Sequence, residues 1–79
     1  MEIKVIGTGC ASCKRLLGLV QEAVKELGME ADVKYITDMA EIMQTGIMQM
    51  PGLIVNGKVK AKGRVPSLNE LKQIIQEEM

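Results

Sequence analysis

The spacing of apolar residues changes once, abruptly, near the start of the chain, and that change limits what it can fold into. Residues 2 to 6, Glu2-Ile3-Lys4-Val5-Ile6, alternate and are rich in β-branched side chains, which predicts a short strand running into a Gly7-Thr8-Gly9 turn. Beyond the turn, Cys13, Leu16, Leu17, Val20, Val24 and Leu27 recur at helical offsets, forming one apolar stripe that Gly28 can end. Lys14, Arg15, Gln21, Glu22, Lys25 and Glu26 occupy the opposite face.

The remainder continues the alternation of strand and helix. Ala31, Val33, Tyr35 and Thr37 interleave with Asp32, Lys34 and Ile36, a second strand whose half-polar character suits a sheet edge. Thr37 or Asp38 caps a short second helix, with Met39, Ile42 and Met43 expected on its buried side and Gly46 as its stop. The crossover helix makes the first two strands parallel. Leu53-Ile54-Val55 and Lys58 to Lys62 flank Asn56-Gly57, a strong hairpin signal. Lys58, Lys60 and Lys62, expected on one face of the last strand, protect an exposed edge. Ser67 and Glu70 form a capping box for a third helix, with Leu68, Leu71, Ile74 and Ile75 facing inward. The order is β-α-β-α-β-β-α, an α/β fold expected to form a four-stranded mixed sheet with its three helices distributed over both faces.

A chain of 79 residues is expected to be one domain spanning residues 1 to 79, with a modest stability margin. Ten basic residues balance ten acidic ones, and no basic cluster interleaved with aromatics is present, so nucleic acid is not an expected partner. No apolar run approaches the roughly 20 residues of a membrane span. The opening residues lack the apolar stretch of a secretion signal, which makes a cytoplasmic location the expectation. Phe, Trp and His are absent and Tyr35 is the single aromatic, so the core is aliphatic, with seven methionines available to fill gaps. Met39, Met43, Met48 and Met50 are expected as such filler. The functional alternative is a pliable apolar rim that accepts varied protein substrates.

Chemistry concentrates in Cys10-Ala11-Ser12-Cys13. Two cysteines this close make a poor structural staple, because so short a loop removes little entropy from the unfolded chain. At the start of a helix, free backbone N–H groups and the positive end of the macrodipole stabilise a thiolate, lowering a thiol of about 8.5 to roughly 3.5 to 7.5. Helical spacing brings the two Cα atoms within the roughly 4.4 to 6.8 Å that a disulfide tolerates. Cys10 is the expected nucleophile and Cys13, on the apolar stripe, the buried resolving partner. Lys14 and Arg15 are expected to act by solvation on an exposed helix face. The rival reading is a Cu(I)-binding carrier using the same two thiolates, since two sulfurs suffice for linear Cu(I) whereas structural zinc needs four ligands. Small copper chaperones end in a strand; this chain ends in a capped helix.

The cysteine motif, the Met50-Pro51 step before the third strand and Gly63 after the fourth together resemble the thioredoxin-like superfamily. The likeness is closest to the small archaeal and bacterial thioredoxin or glutaredoxin-like proteins labelled redox-active disulfide protein 2. It runs through Gly57-Lys58-Val59 to the ending Gly63-Arg64-Val65-Pro66-Ser67. The resemblance implies a thioredoxin-like fold and a protein disulfide reductase with no cofactor beyond a Cys10–Cys13 disulfide. It also implies protein disulfide substrates, a thioredoxin-reductase-type electron donor and a monomer. Pro51 would be a cis-proline beside the cysteines, the Met50 backbone would pair with a substrate strand, and Gly63 would let the substrate backbone approach. The chain departs from larger thioredoxins in placing Gly9 before the motif and Ala11-Ser12 within it. Its first strand offers only Glu2 and Lys4 where they bury an acid, so the group that serves the Cys13 proton is not identified. Features for recognising glutathione are absent.

Overall fold

The computed structural model describes residues 1–9 and 11–79. The elements are β1 (Glu2–Ile6), α1 (Ala11–Glu26), β2 (Asp32–Ile36), α2 (Met39–Thr45), β3 (Gly52–Val55), β4 (Lys58–Lys62) and α3 (Leu68–Glu77). The strands form one sheet in the order β2-β1-β3-β4. β1 runs parallel to β2, with Val5 opposite Tyr35, and antiparallel to β3, with Ile6 opposite Gly52.

Local chemistry sets most boundaries. Asp38 caps α2 by accepting a 2.9 Å hydrogen bond from the Ala40 amide. Ser67 caps α3 through the Glu70 amide. The Glu70 carboxylate does not complete the expected capping box, because it pairs with Arg64 instead. Asn56 and Gly57 both take positive φ, 51° and 80°, the backbone a two-residue hairpin turn requires. The Asn56 side chain also accepts from the Glu2 amide at 3.0 Å, which ties the hairpin to the start of the neighbouring strand.

Two aliphatic cores sandwich the sheet. On one side Ile3, Val5, Leu53, Val55 and Ala61 meet Leu16, Val20 and Ala23 of α1 and Leu71 and Ile75 of α3. On the other, Ile6 and Ile54 meet Ile42 and Ile47. The second core is small because α2 has only seven residues, and beyond its reach the sheet carries Glu2, Lys4, Asp32 and Lys34 as a surface ion-pair cluster.

Two expectations are corrected here. Of the three residues expected on the buried side of α2, Ile42 alone is buried, while Met39 and Met43 are 55% and 76% exposed and nearby Met48 is 91% exposed. These three methionines therefore do not fill the core; Met50, which is half-buried against Ile6, Ile42, Ile47 and Ile54, does. The expected single face of lysines on β4 is broken by a bulge. Leu53 pairs with Ala61 but Ile54 with Val59, leaving Lys60 as the extra residue. Lys58 and Lys60 then both reach Glu78, just past α3, at 3.2 and 3.1 Å. No helix among the described residues is long and apolar enough to cross a membrane.

Candidate functional site

One end of the sheet gathers several of the residues singled out by the sequence. β1 leaves the sheet at Ile6, and Gly7 extends its pairing by donating a 3.0 Å hydrogen bond to the Ile36 carbonyl. α1 follows from Ala11, so the first helical turn stands over the end of the central strands. Ile6 lies opposite Gly52, which places Pro51 at the same end as Gly7. Gly52 in turn lies opposite Lys62, and the Gly63 amide donates to the Pro51 carbonyl at 2.9 Å. Gly7, Pro51 and Gly63 thus come together through strand register, although 56 residues separate the first from the last in the chain.

Cys13 is fully buried on the inner face of the first turn of α1, whereas Ala11, Ser12, Lys14 and Arg15 are exposed. Its neighbour in space is Gly7. A Cβ built on Gly7 would fall 2.5 Å from both Cβ and Sγ of Cys13, so the helix can sit this close to β1 only because residue 7 has no side chain. The first turn of α1 carries no acidic residue to offset the positive end of its dipole. Cys10, the expected nucleophile, lies outside the described residues.

The Met50–Pro51 peptide bond is cis, the form the resemblance implies, and Pro51 is buried. The Met50 side chain packs into the smaller core. Gly63 has φ +73°, and a Cβ there would meet the Gln49 side chain, 2.8 Å from Oε1 and 3.1 Å from Cβ. Glycine at 63 is therefore explained by backbone conformation and by Gln49 before any ligand is considered.

Three participants in this region were not identified from sequence: Gly7 as the partner of Cys13, Gln49 against Gly63, and Tyr35. The Tyr35 Cε1 atom comes within 3.5 Å of the same carbon-sized space at Gly7, and its hydroxyl is buried without a hydrogen-bond partner. The signal for Tyr35 was its place as the sole aromatic on an alternating strand; nothing local indicated the direction of its ring. Among the described residues no charged group is buried, so no buried acid stands by Cys13.

Comparison with known proteins agrees with this architecture. The thioredoxin domain family model matches residues 1–76. A thioredoxin from Methanothermobacter thermautotrophicus is 45% identical over 75 residues, covering 95% of this chain and 97% of that protein. One from Methanocaldococcus jannaschii is 34% identical over 71 residues, covering 90% and 81%. The solution structure of the oxidised thioredoxin from Plasmodium falciparum superposes with a TM-score of 0.58 at 20% identity, covering 96% of this chain and 80% of that one, a likeness of fold. The chain belongs to the thioredoxin domain family. Its activity is accordingly that of a protein disulfide oxidoreductase.

Proposed function

We propose that this protein reduces protein disulfides by dithiol exchange through Cys10 and Cys13. The Cys10 thiolate attacks one sulfur of a substrate disulfide, forming a mixed disulfide and expelling the other substrate sulfur as a thiolate that takes up a proton. Cys13 loses its proton and attacks the Cys10 sulfur. The Cys10–Cys13 disulfide forms, and the second substrate sulfur leaves reduced. Two electrons pass to the substrate, and an electron donor of the thioredoxin-reductase type returns them to the pair. No other cofactor takes part.

The observation that carries this reading is the position of Cys13, buried in the first turn of α1 against Gly7 at the sheet end that also holds Pro51 and Gly63. A buried second thiol suits a resolving group, because it is shielded from outside disulfides and attacks only the sulfur beside it. Met50 and Pro51 supply the edge along which an extended substrate lies, with Gly63 flanking it. In support, no backbone–backbone hydrogen bond among the described residues occupies Met50, so its peptide groups are available for strand pairing. The reading places the protein in the cytoplasm as a monomeric single domain.

Insulin reduction by dithiothreitol tests it, comparing the native protein with Cys10→Ser and Cys13→Ser. Acceleration by the native protein and its loss in both variants is the expected result. Undiminished acceleration in either variant overturns the dithiol cycle. No acceleration by the native protein, with stoichiometric Cu(I) uptake by the same pair, replaces it with the carrier reading.

A further inference from the structure

Tyr35 is the one described residue whose side chain buries a polar atom without a hydrogen-bond partner. Buried hydroxyls are satisfied in the great majority of folded proteins, and an orphan calls for a reason. Its place in the fold supplies one. Tyr35 pairs with Val5 in the β1–β2 register, on the sheet face covered by α1 and α3, two residues short of Gly7. The ring leans along the strand towards Gly7. The atom that arrives there is Cε1, the ring carbon next to the one bearing the hydroxyl, and it reaches the same small space that Cys13 Cβ and Sγ border. An edge of the ring, one carbon from the hydroxyl, thus borders the same space as the resolving cysteine.

We propose that the Tyr35 hydroxyl donates a hydrogen bond to the Cys13 sulfur when that sulfur becomes a thiolate, and so stabilises it for the resolving step. The proposal rests on the dithiol cycle described above and names a group that the cycle otherwise lacks. A thiolate forming in an aliphatic core has lost its hydration, and one charge-assisted hydrogen bond is the means by which such a site can tolerate the charge. Among the described residues no charged or polar residue is buried. The core against which Tyr35 packs is aliphatic, with Val5, Leu16, Leu71 and Ile75 among its buried residues. The charged residues of the first turn, Lys14 and Arg15, are exposed, and the remaining titratable group of the reduced pair is Cys10 itself. The phenol keeps its proton throughout. The Cys13 proton goes to solvent, and the departing substrate sulfur takes one up.

Tyr35→Phe removes the hydroxyl and keeps the ring, so packing is preserved and the thermal midpoint should stay level or rise. The reaction with 5,5′-dithiobis(2-nitrobenzoate) separates the steps: attack by Cys10 releases one coloured thiolate, and resolution by Cys13 releases a second. In Tyr35→Phe the first phase should be unchanged and the second about ten-fold slower at neutral pH, its pH profile displaced upward by about one unit. The two proteins should converge at high pH. In reduced protein labelled with 13C at cysteine Cβ, the Cys13 titration should move by the same amount. A second phase and a Cys13 titration unaltered by Tyr35→Phe overturn this inference alone. A native protein that releases a single equivalent overturns the dithiol cycle beneath it.

Discussion

A methyl group on Gly7 would overlap Cys13 at two atoms, lying 2.5 Å from its Cβ and 2.5 Å from its Sγ. The strand that enters the site and the helix that leaves it are in contact here, and the contact requires glycine for room. Gly7→Ala should therefore destabilise the fold by about 1–3 kcal/mol, as overpacked sites do. It should also slow insulin reduction more than that loss accounts for, by pushing Cys13 out of line. Urea unfolding and a turnover assay on the fully folded fraction separate the two effects. An alanine variant of native stability and native rate would show that the helix has slack to move.

The clamp between β4 and the chain end gives a prediction in pH. Hydrogen bonds from Lys60 and then Lys58 hold the Glu78 carboxyl below its ordinary value of 4.5. A carboxyl lowered in the folded state adds stability that is complete above its unfolded value and disappears as pH falls through the folded one. Urea midpoints of the native protein and Glu78→Gln should differ at pH 7 and draw together below pH 4.5. A gap that persists undiminished at pH 3 would mean that the ion pairs contribute nothing to it.

Exposure of the methionines around α2 predicts their chemistry. Met43 and Met48, 76% and 91% exposed, should be the first to form sulfoxides under dilute hydrogen peroxide, read by peptide mass spectrometry. Far-UV circular dichroism and the thermal midpoint should not change, since neither side chain packs a core. Met48→Ala should likewise alter stability by no more than about 0.5 kcal/mol. A larger loss would restore these residues to the interior.

The opposite behaviour is expected at Leu53. This residue is fully buried in the central strand β3 and belongs to the larger core shared by α1 and α3. Leu53→Ala should cost about 2–5 kcal/mol, a large part of the roughly 5–15 kcal/mol that holds a domain folded. Urea denaturation would show a lowered midpoint, and a loss below 1 kcal/mol would indicate that the core collapses around the gap.

Much of the fold was legible in the chain because its instructions are local. Alternation over residues 2 to 6, the helical stripe through Leu16 and Val20, the caps at Asp38 and Ser67 and the Asn56-Gly57 turn each depend on residues a few positions apart. The cysteine spacing and the Met50-Pro51 step were likewise visible as motifs. Misreadings arose where a local pattern meets a boundary set elsewhere. Met39 and Met43 lie on the expected side of α2, yet a helix of seven residues covers too little sheet to bury them. Glu70 has capping-box spacing, but Arg64 claims its carboxylate.

By itself the sequence determined which segments become strands and helices, where they stop, and that the cysteine motif falls in the chain where a strand gives way to a helix, since torsional preference, capping and periodicity act within a turn or two. Tertiary structure alone decided that Gly7 makes room for Cys13, that Gly63 bonds to Pro51, and that an edge of the Tyr35 ring borders the space at Gly7. Those relationships come from strand register and from the seating of α1 on the sheet, and both are settled by burying apolar surface from distant parts of the chain at once.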